Sequence, residues 1–169
     1  MLKEHGKLLV LFNEAEAVTG RKKLQKIVYI SKKFNFDFKE KFNFHFYGPY
    51  SEELSLQVEE LSNLGFIHEI KEQKSGYTQY KYELSEKGKE YLELYPVQMD
   101  GLAPFIDRLN QESSRFLELV STILYFDHLA GDELVEKIHK VKSKQNYTQT
   151  EIDQALSLIE QLHDLQMKN

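Results

Sequence analysis

The sequence has no cysteine, no tryptophan, only three prolines and only eight glycines in 169 residues. Without cysteine there is neither a disulfide framework nor thiolate ligation of zinc. The glycines, at positions 6, 20, 48, 65, 76, 88, 101 and 131, are never two apart, which excludes GxGxxG, and GxxxxGK[ST] and GxSxG are missing as well. The histidines, at 5, 45, 68, 128, 139 and 163, form no HExxH, and Asp127-His128, the nearest approach to a ligand pair, reads as ordinary surface. Long apolar runs are also lacking. The start, MLKEHGKLLVLFNEAEA, has five apolar residues and then acids, too short and too charged for a signal peptide or a membrane span, so a cytoplasmic protein is expected. Carboxylate pairs such as Glu52-Glu53 and Glu59-Glu60 fall on a helix at spacings that point them to solvent, which discounts general acid and base work. The expectation is a protein without enzymatic activity, cofactor or metal.

Hydrophobic content of 41% and charged content of 29% are those of a globular chain able to bury a core. Net charge is -5, unevenly placed: residues 1–96 hold fifteen basic and fifteen acidic residues, leaving seven basic against twelve acidic for residues 97–169. Any contact with a polyanion must therefore come from the N-terminal part.

In chain order, Leu8, Leu9, Leu11 and Phe12 give a first amphipathic helix within residues 2–17. Thr19 is placed to cap a second helix, RKKLQKIVYISKKF, whose Leu24, Ile27, Val28, Ile30 and Phe34 share one side. Arg21 to Lys33 holds six basic residues and no acid. Lys22, Lys26, Tyr29 and Lys33 line the side opposite the apolar one, so the helix presents either a solvated face or an anion-binding face made of Arg21, Lys22, Lys26, Tyr29 and Lys33. Phe42, Phe44 and Phe46 alternate with Asn43, His45 and Tyr47, the period of a strand with one face on the core, and Gly48-Pro49 stops it. Ser51 caps a third helix that buries Leu54, Val58 and Leu61 and exposes Glu52, Leu56, Glu59, Glu60 and Asn63. Gly65 ends it. Two short strands, FIHEIKE and YKYEL, flank a Gly-centred loop, and Ser85 opens a fourth helix that Pro96 stops.

This order predicts an α+β, mostly helical fold: a winged helix-turn-helix domain with a small antiparallel sheet over residues 1–96, then a helical C-terminal region over 97–169. There, Leu102, Phe105, Leu109, Phe116, Leu119, Ile123 and Phe126 form a heptad-like seam interrupted near Glu112; DELVEKIHKVK follows, and Thr148 with Glu151 makes a capping box for a last helix. These three helices either close on themselves or pair with a second copy in a homodimer.

The stretches GRKKLQKIVYISKK, FHFYGPYSEEL, NLGFI and YKYELSEKG resemble the YwgA-like family of uncharacterised Gram-positive bacterial proteins. A more distant similarity is to the SocA-like, or Panacea, antitoxin domain, carried here by Lys23-Leu24-Gln25-Lys26 and Gly48-Pro49. The resemblance implies a winged-helix-like fold and, for the distant relatives, a role in binding another protein. Two functions follow from the residues. One is a regulatory or adaptor protein that meets a protein partner through Glu52, Leu56, Glu59, Glu60 and Asn63. The other is a DNA-binding regulator using Arg21, Lys22, Lys26, Tyr29 and Lys33 with Lys74 near the hairpin loop.

Overall fold

The computed structural model describes residues 2–168. Its architecture follows from how the helix Arg21–Lys33 (α2) is covered. Leu24 to Ser31 are buried without interruption, so this helix is enclosed on all sides, not amphipathic. The first helix, Leu2–Ala15 (α1), precedes it and supplies Leu8, Leu9, Leu11 and Phe12 to the core. Between them lies a three-residue strand, Ala17–Thr19 (β1), that the composition of the stretch does not announce. Thr19 belongs to that strand; the cap position of α2 is Gly20, at φ 112°, with no side-chain cap.

Downstream, Asn43–His45 (β2) and Gly48–Tyr50 (β3) form a hairpin in which His45 pairs Gly48. The alternation of Phe42, Phe44 and Phe46 therefore ends early: Phe46 sits in the turn and is 63% exposed. The helix Glu52–Asn63 (α3) begins at Ser51, whose Oγ accepts the Leu54 N–H at 3.0 Å, with Glu52 and Glu53 favouring the positive end of the helix dipole. Gly65, at φ 80°, turns the chain out of it. Ile67–Lys74 (β4) and Tyr77–Leu84 (β5) pair in register from Ile67–Leu84 to Lys74–Tyr77. Strand β1 adds to the far side of β5, Val18 opposite Tyr82, giving an antiparallel sheet of order β1-β5-β4. Glu86–Leu94 (α4) starts at Ser85, whose Oγ accepts the Gly88 N–H and donates to the Gly65 carbonyl.

The stretch read as one seam is two helices, Leu102–Asn110 (α5) and Ser114–Tyr125 (α6), separated at residues 111–113, with Ser113 capping the second. Gly131–Val141 (α7) and Gln149–Met167 (α8) complete the chain, and the Thr148–Glu151 capping box is present. The fold is thus α+β and mostly helical, with a small antiparallel sheet. Helix α6 lies along α2, α5 lies along α1, and the buried apolar residues from Leu8 to Leu162 form one continuous core. No helix among the described residues is long and apolar enough to cross a membrane.

Candidate functional site: the cleft between the second and third helices

Gln25 holds α2 and α3 together. Buried between them, its Nε2 donates to the Ser51 carbonyl at 2.8 Å and to Ser55 Oγ at 2.9 Å, and its Oε1 accepts the Ser51 N–H at 2.8 Å. One residue on, Lys26 is also buried, and its Nζ donates to the Pro49 carbonyl at 2.8 Å. Lys23 donates to the Asn110 carbonyl. The Lys23-Leu24-Gln25-Lys26 motif therefore fastens α2 to β3, to the start of α3 and to α5; Gly48-Pro49, expected to stop the strand, instead forms the returning strand of the hairpin.

Beside this junction a cavity of about 650 Å³ opens between α2, α3, the β2–β3 hairpin and the sheet. Leu24, Leu54 and Val58 give it an apolar floor. Tyr47 and Tyr50 stand on the hairpin side, and Tyr82 with Glu69 on the sheet side. Arg21, Lys22 and Lys26 form the cationic part of its wall, and Ser62, Asn63 and Glu59 its α3 edge. Arg21 stacks 3.8 Å from the Tyr80 ring centroid, donates to Tyr82 Oη at 3.1 Å and lies 3.7 Å from Glu69. Tyr82 in turn donates to Glu69 at 2.8 Å; burial, with the Glu69 carboxylate beside it, pushes its phenol up to about 12. Lys22 Nζ sits 3.6 Å over the Tyr47 ring.

Below the hairpin the interior is polar. Lys142, 1% exposed, donates to the Phe46 carbonyl at 2.7 Å and lies 3.8 Å from Glu118 Oε2, which also accepts the Tyr147 O–H at 3.1 Å. Burial brings the Lys26 ammonium down to about 8, partly opposed by Glu118 and reinforced by the nearby charges of Lys142 and Lys22. Gly48 packs against this group: an added Cβ would be in ordinary contact, 3.4 Å from Glu118 Cγ and 3.6 Å from Lys26 Nζ, so it is the backbone angle, φ 84°, that favours glycine there.

The basic face expected of α2 is not assembled. Lys26 is buried. Tyr29 is 6% exposed, its ring edge-on to Phe42 at 5.2 Å, and burial pushes its phenol well above the usual range. Lys33 is paired with Asp127 at 2.9 Å, and Lys32 donates to the Glu40 carbonyl. Only Arg21 and Lys22 remain exposed at the start of the helix, while Lys74 is exposed at the end of β4, away from them in the sheet. The cause is α6, which covers the side of α2 that a helical wheel of the isolated helix turns to solvent.

The acidic face of α3 is present. Glu52, Glu59 and Asn63 are exposed, Leu56 is 58% exposed, and Glu60, half-exposed, lies 3.2 Å from His5 Nε2. Gln25, Glu118, Lys142 and Tyr147 were not singled out from sequence. Gln25 lies inside the quoted KLQK motif, the one signal that pointed to it. Among the described residues no group of three or more His, Cys, Asp or Glu side chains is placed to hold a metal ion.

These features define a mixed α+β protein whose centre is a helix pinned by its own motif to the glycine-proline strand of a short hairpin. No family model matches the chain. It is 56% identical over 165 residues to Uncharacterized protein YwgA of Bacillus subtilis (strain 168), an alignment spanning 98% of this chain and 99% of that relative. The chain belongs to the YwgA-like family.

Proposed function

We propose that the chain is a non-enzymatic winged-helix protein, regulatory or adaptor in role, that binds another protein through the outward face of α3. The observation that carries the reading is that face: Glu52, Glu53, Leu56 and Glu59 stand exposed, and no Lys or Arg occurs from Tyr50 to Ile70. The winged-helix description is supported by the order α1-β1-α2-β2-β3-α3-β4-β5, with the β2–β3 hairpin inserted between the second and third helices, and by β1 joining the β4–β5 sheet. In such domains the helix at the place of α3 enters the major groove. Here its carboxylates would meet phosphates, whereas an exposed leucine ringed by carboxylates suits an apolar socket with a basic rim on a protein. The likeness of Lys23–Lys26 and Gly48-Pro49 to the SocA-like domain points the same way. The apolar residues of α5 to α8 are mostly buried within the chain, so pairing with a second copy would use what α8 still exposes, Leu156 and Met167; light scattering of the purified protein decides that part.

The experiment is affinity capture followed by cross-linking, with wild type and Leu56→Arg as baits. A protein retained by wild type and lost with Leu56→Arg, at unchanged thermal melting, supports the reading. Identical captured sets overturn it.

The second reading, DNA binding, rests on the exposed Arg21, Lys22 and Lys74. A salt-sensitive gel shift abolished by changing those three residues to Glu would move the function to DNA.

A further inference from the structure

We propose that the cleft between α2 and α3 binds a small organic anion, an aromatic or apolar body carrying one carboxylate or phosphate group. This goes beyond the protein-binding reading and does not depend on it: the cleft meets the outward face of α3 at Glu59 and Asn63, but its apolar floor and cationic wall come from Arg21–Lys26, Leu54 and Val58.

Size, walls and charge all point to such a ligand. A volume of about 650 Å³ lies within the range of small-molecule pockets. The apolar floor and the rings of Tyr47 and Tyr50 suit a flat or apolar body. The cationic end suits an anionic head. Lys26, which lines the cleft, is 1% exposed, and Lys22 beside it adds positive charge; Lys142 and Glu118 lie beneath the hairpin, outside the cleft's lining. Buried charge is costly when it is not balanced, and an anion at this end of the cleft balances it.

Donor capacity is also left over. The Lys26 ammonium has three N–H groups, and among the described residues only the Pro49 carbonyl lies within hydrogen-bond reach of it. Lys22 has no hydrogen-bond acceptor among the described residues and rests on the face of Tyr47. The acids on the wall do not cancel this end, since Glu69 is engaged by Tyr82 and Arg21 and Glu59 stands exposed on α3. Burial lowers the Lys26 pKa to about 8, the direction expected of an ammonium short of counter-charge, and a bound anion raises it.

The test is a titration of isotopically labelled full-length protein, read by amide chemical shifts, with benzoate and phenyl phosphate as probes and phenol as the neutral control. The expected result is saturable shifts around Arg21–Lys26, Tyr47–Tyr50 and Leu54–Asn63, with dissociation constants below about 1 mM for at least one anion and no saturation by phenol. The stronger of the two anions identifies the head group. Lys22→Gln, at the exposed rim, should weaken binding by about 5-fold or more, and Ser62→Trp, which fills the α3 edge, should abolish it without altering the melting curve. No saturation by either anion up to 10-fold above about 1 mM overturns the proposal, as do equal shifts with phenol, shifts located elsewhere, or both variants binding like wild type. Partner capture by Leu56→Arg tests α3 separately, so failure of one reading leaves the other standing.

Discussion

Lys26 and Pro49 meet in the interior: the lysine ammonium donates to the proline carbonyl at 2.8 Å, and both residues are buried. One position before Lys26, Gln25 makes paired bonds to the backbone N–H and C=O of Ser51, two positions after Pro49. The hairpin and the start of α3 are thus held by side chains of α2 where a sheet would use backbone pairing. The arrangement satisfies buried backbone groups that the short β2–β3 ladder leaves over.

A buried ammonium has a pH signature. With its pKa near 8 in the folded protein and about 10.4 when unfolded, Lys26 binds fewer protons in the folded state between those values, so stability rises with pH across that window. Below pH 8 both states are charged and the penalty is constant. The unfolding free energy of wild type relative to Lys26→Met, from urea titrations at pH 7 to 10.5, should move in favour of wild type by about 1–3 kcal/mol. A flat difference would show that the lysine carries no desolvation cost.

Glu118 is the counter-charge beneath the hairpin. Glu118→Ala leaves Lys142 and Lys26 buried without it and should cost about 3–5 kcal/mol in denaturant unfolding. Replacing Lys142 by Met in the same chain should recover much of that loss, and the double-mutant cycle measures the coupling directly. Additive losses would mean that the 3.8 Å pair contributes nothing of its own.

Glu40 lies in the connection between α2 and β2, 1% exposed, and neither carboxylate oxygen meets a hydrogen-bond partner among the described residues. Burial, with Glu4 and Glu53 nearby, pushes its pKa up. The folded state then holds the proton to higher pH than the unfolded chain does. Stability is lost as pH rises from the unfolded carboxylate value through the raised one. Glu40→Gln should be more stable than wild type at pH 7, with the gap closing as the pH falls below the carboxylate range. Thermal melts at pH 4 and pH 7 give the comparison, and a less stable variant at pH 7 contradicts it.

Gly88 is required by contact, not by backbone angle. A Cβ there would run into the Phe66 carbonyl oxygen and the Leu84 side chain, where α4 crosses the start of the β4–β5 hairpin. Gly88→Ala should destabilise by about 1–3 kcal/mol, although alanine is the better helix former. Gly76 has nothing within 4 Å of such a Cβ but sits at φ 82° in the hairpin turn, so Gly76→Ala strains the backbone without a collision. Calorimetry of both variants separates the two causes, and a neutral Gly88→Ala would refute the contact argument.

Local signals were read well from the sequence, and enclosure was not. The Ser51 and Ser85 helix starts, the Thr148–Glu151 box, the turn at Gly65 and the β4–β5 hairpin all depend on residues within a few positions of one another. Strand β1 depends on Lys81–Glu83, more than sixty positions away, and three residues carry no period of their own. The buried state of Lys26 and Tyr29 depends on α6. A lysine-rich helix looks amphipathic until a neighbour from residues 114–125 covers its polar side and a proline carbonyl accepts its ammonium. The α3 face was legible because nothing covers it. The cleft beside it was not, because its walls come from α2, the hairpin, α3 and the sheet together.

The long reach of α6 across α2 also sets a timetable for a nascent chain. At ordinary synthesis rates, on the order of ten seconds separate the emergence of α2 from that of α6. Until then Ile27, Val28 and Ile30 lack much of their cover, and β1 lacks its partner strand for most of the same interval. An N-terminal fragment that lacks α6 would present these apolar residues to solvent. A chain stopped before Tyr125 would lack a complete α6 and keep that side of α2 without its cover.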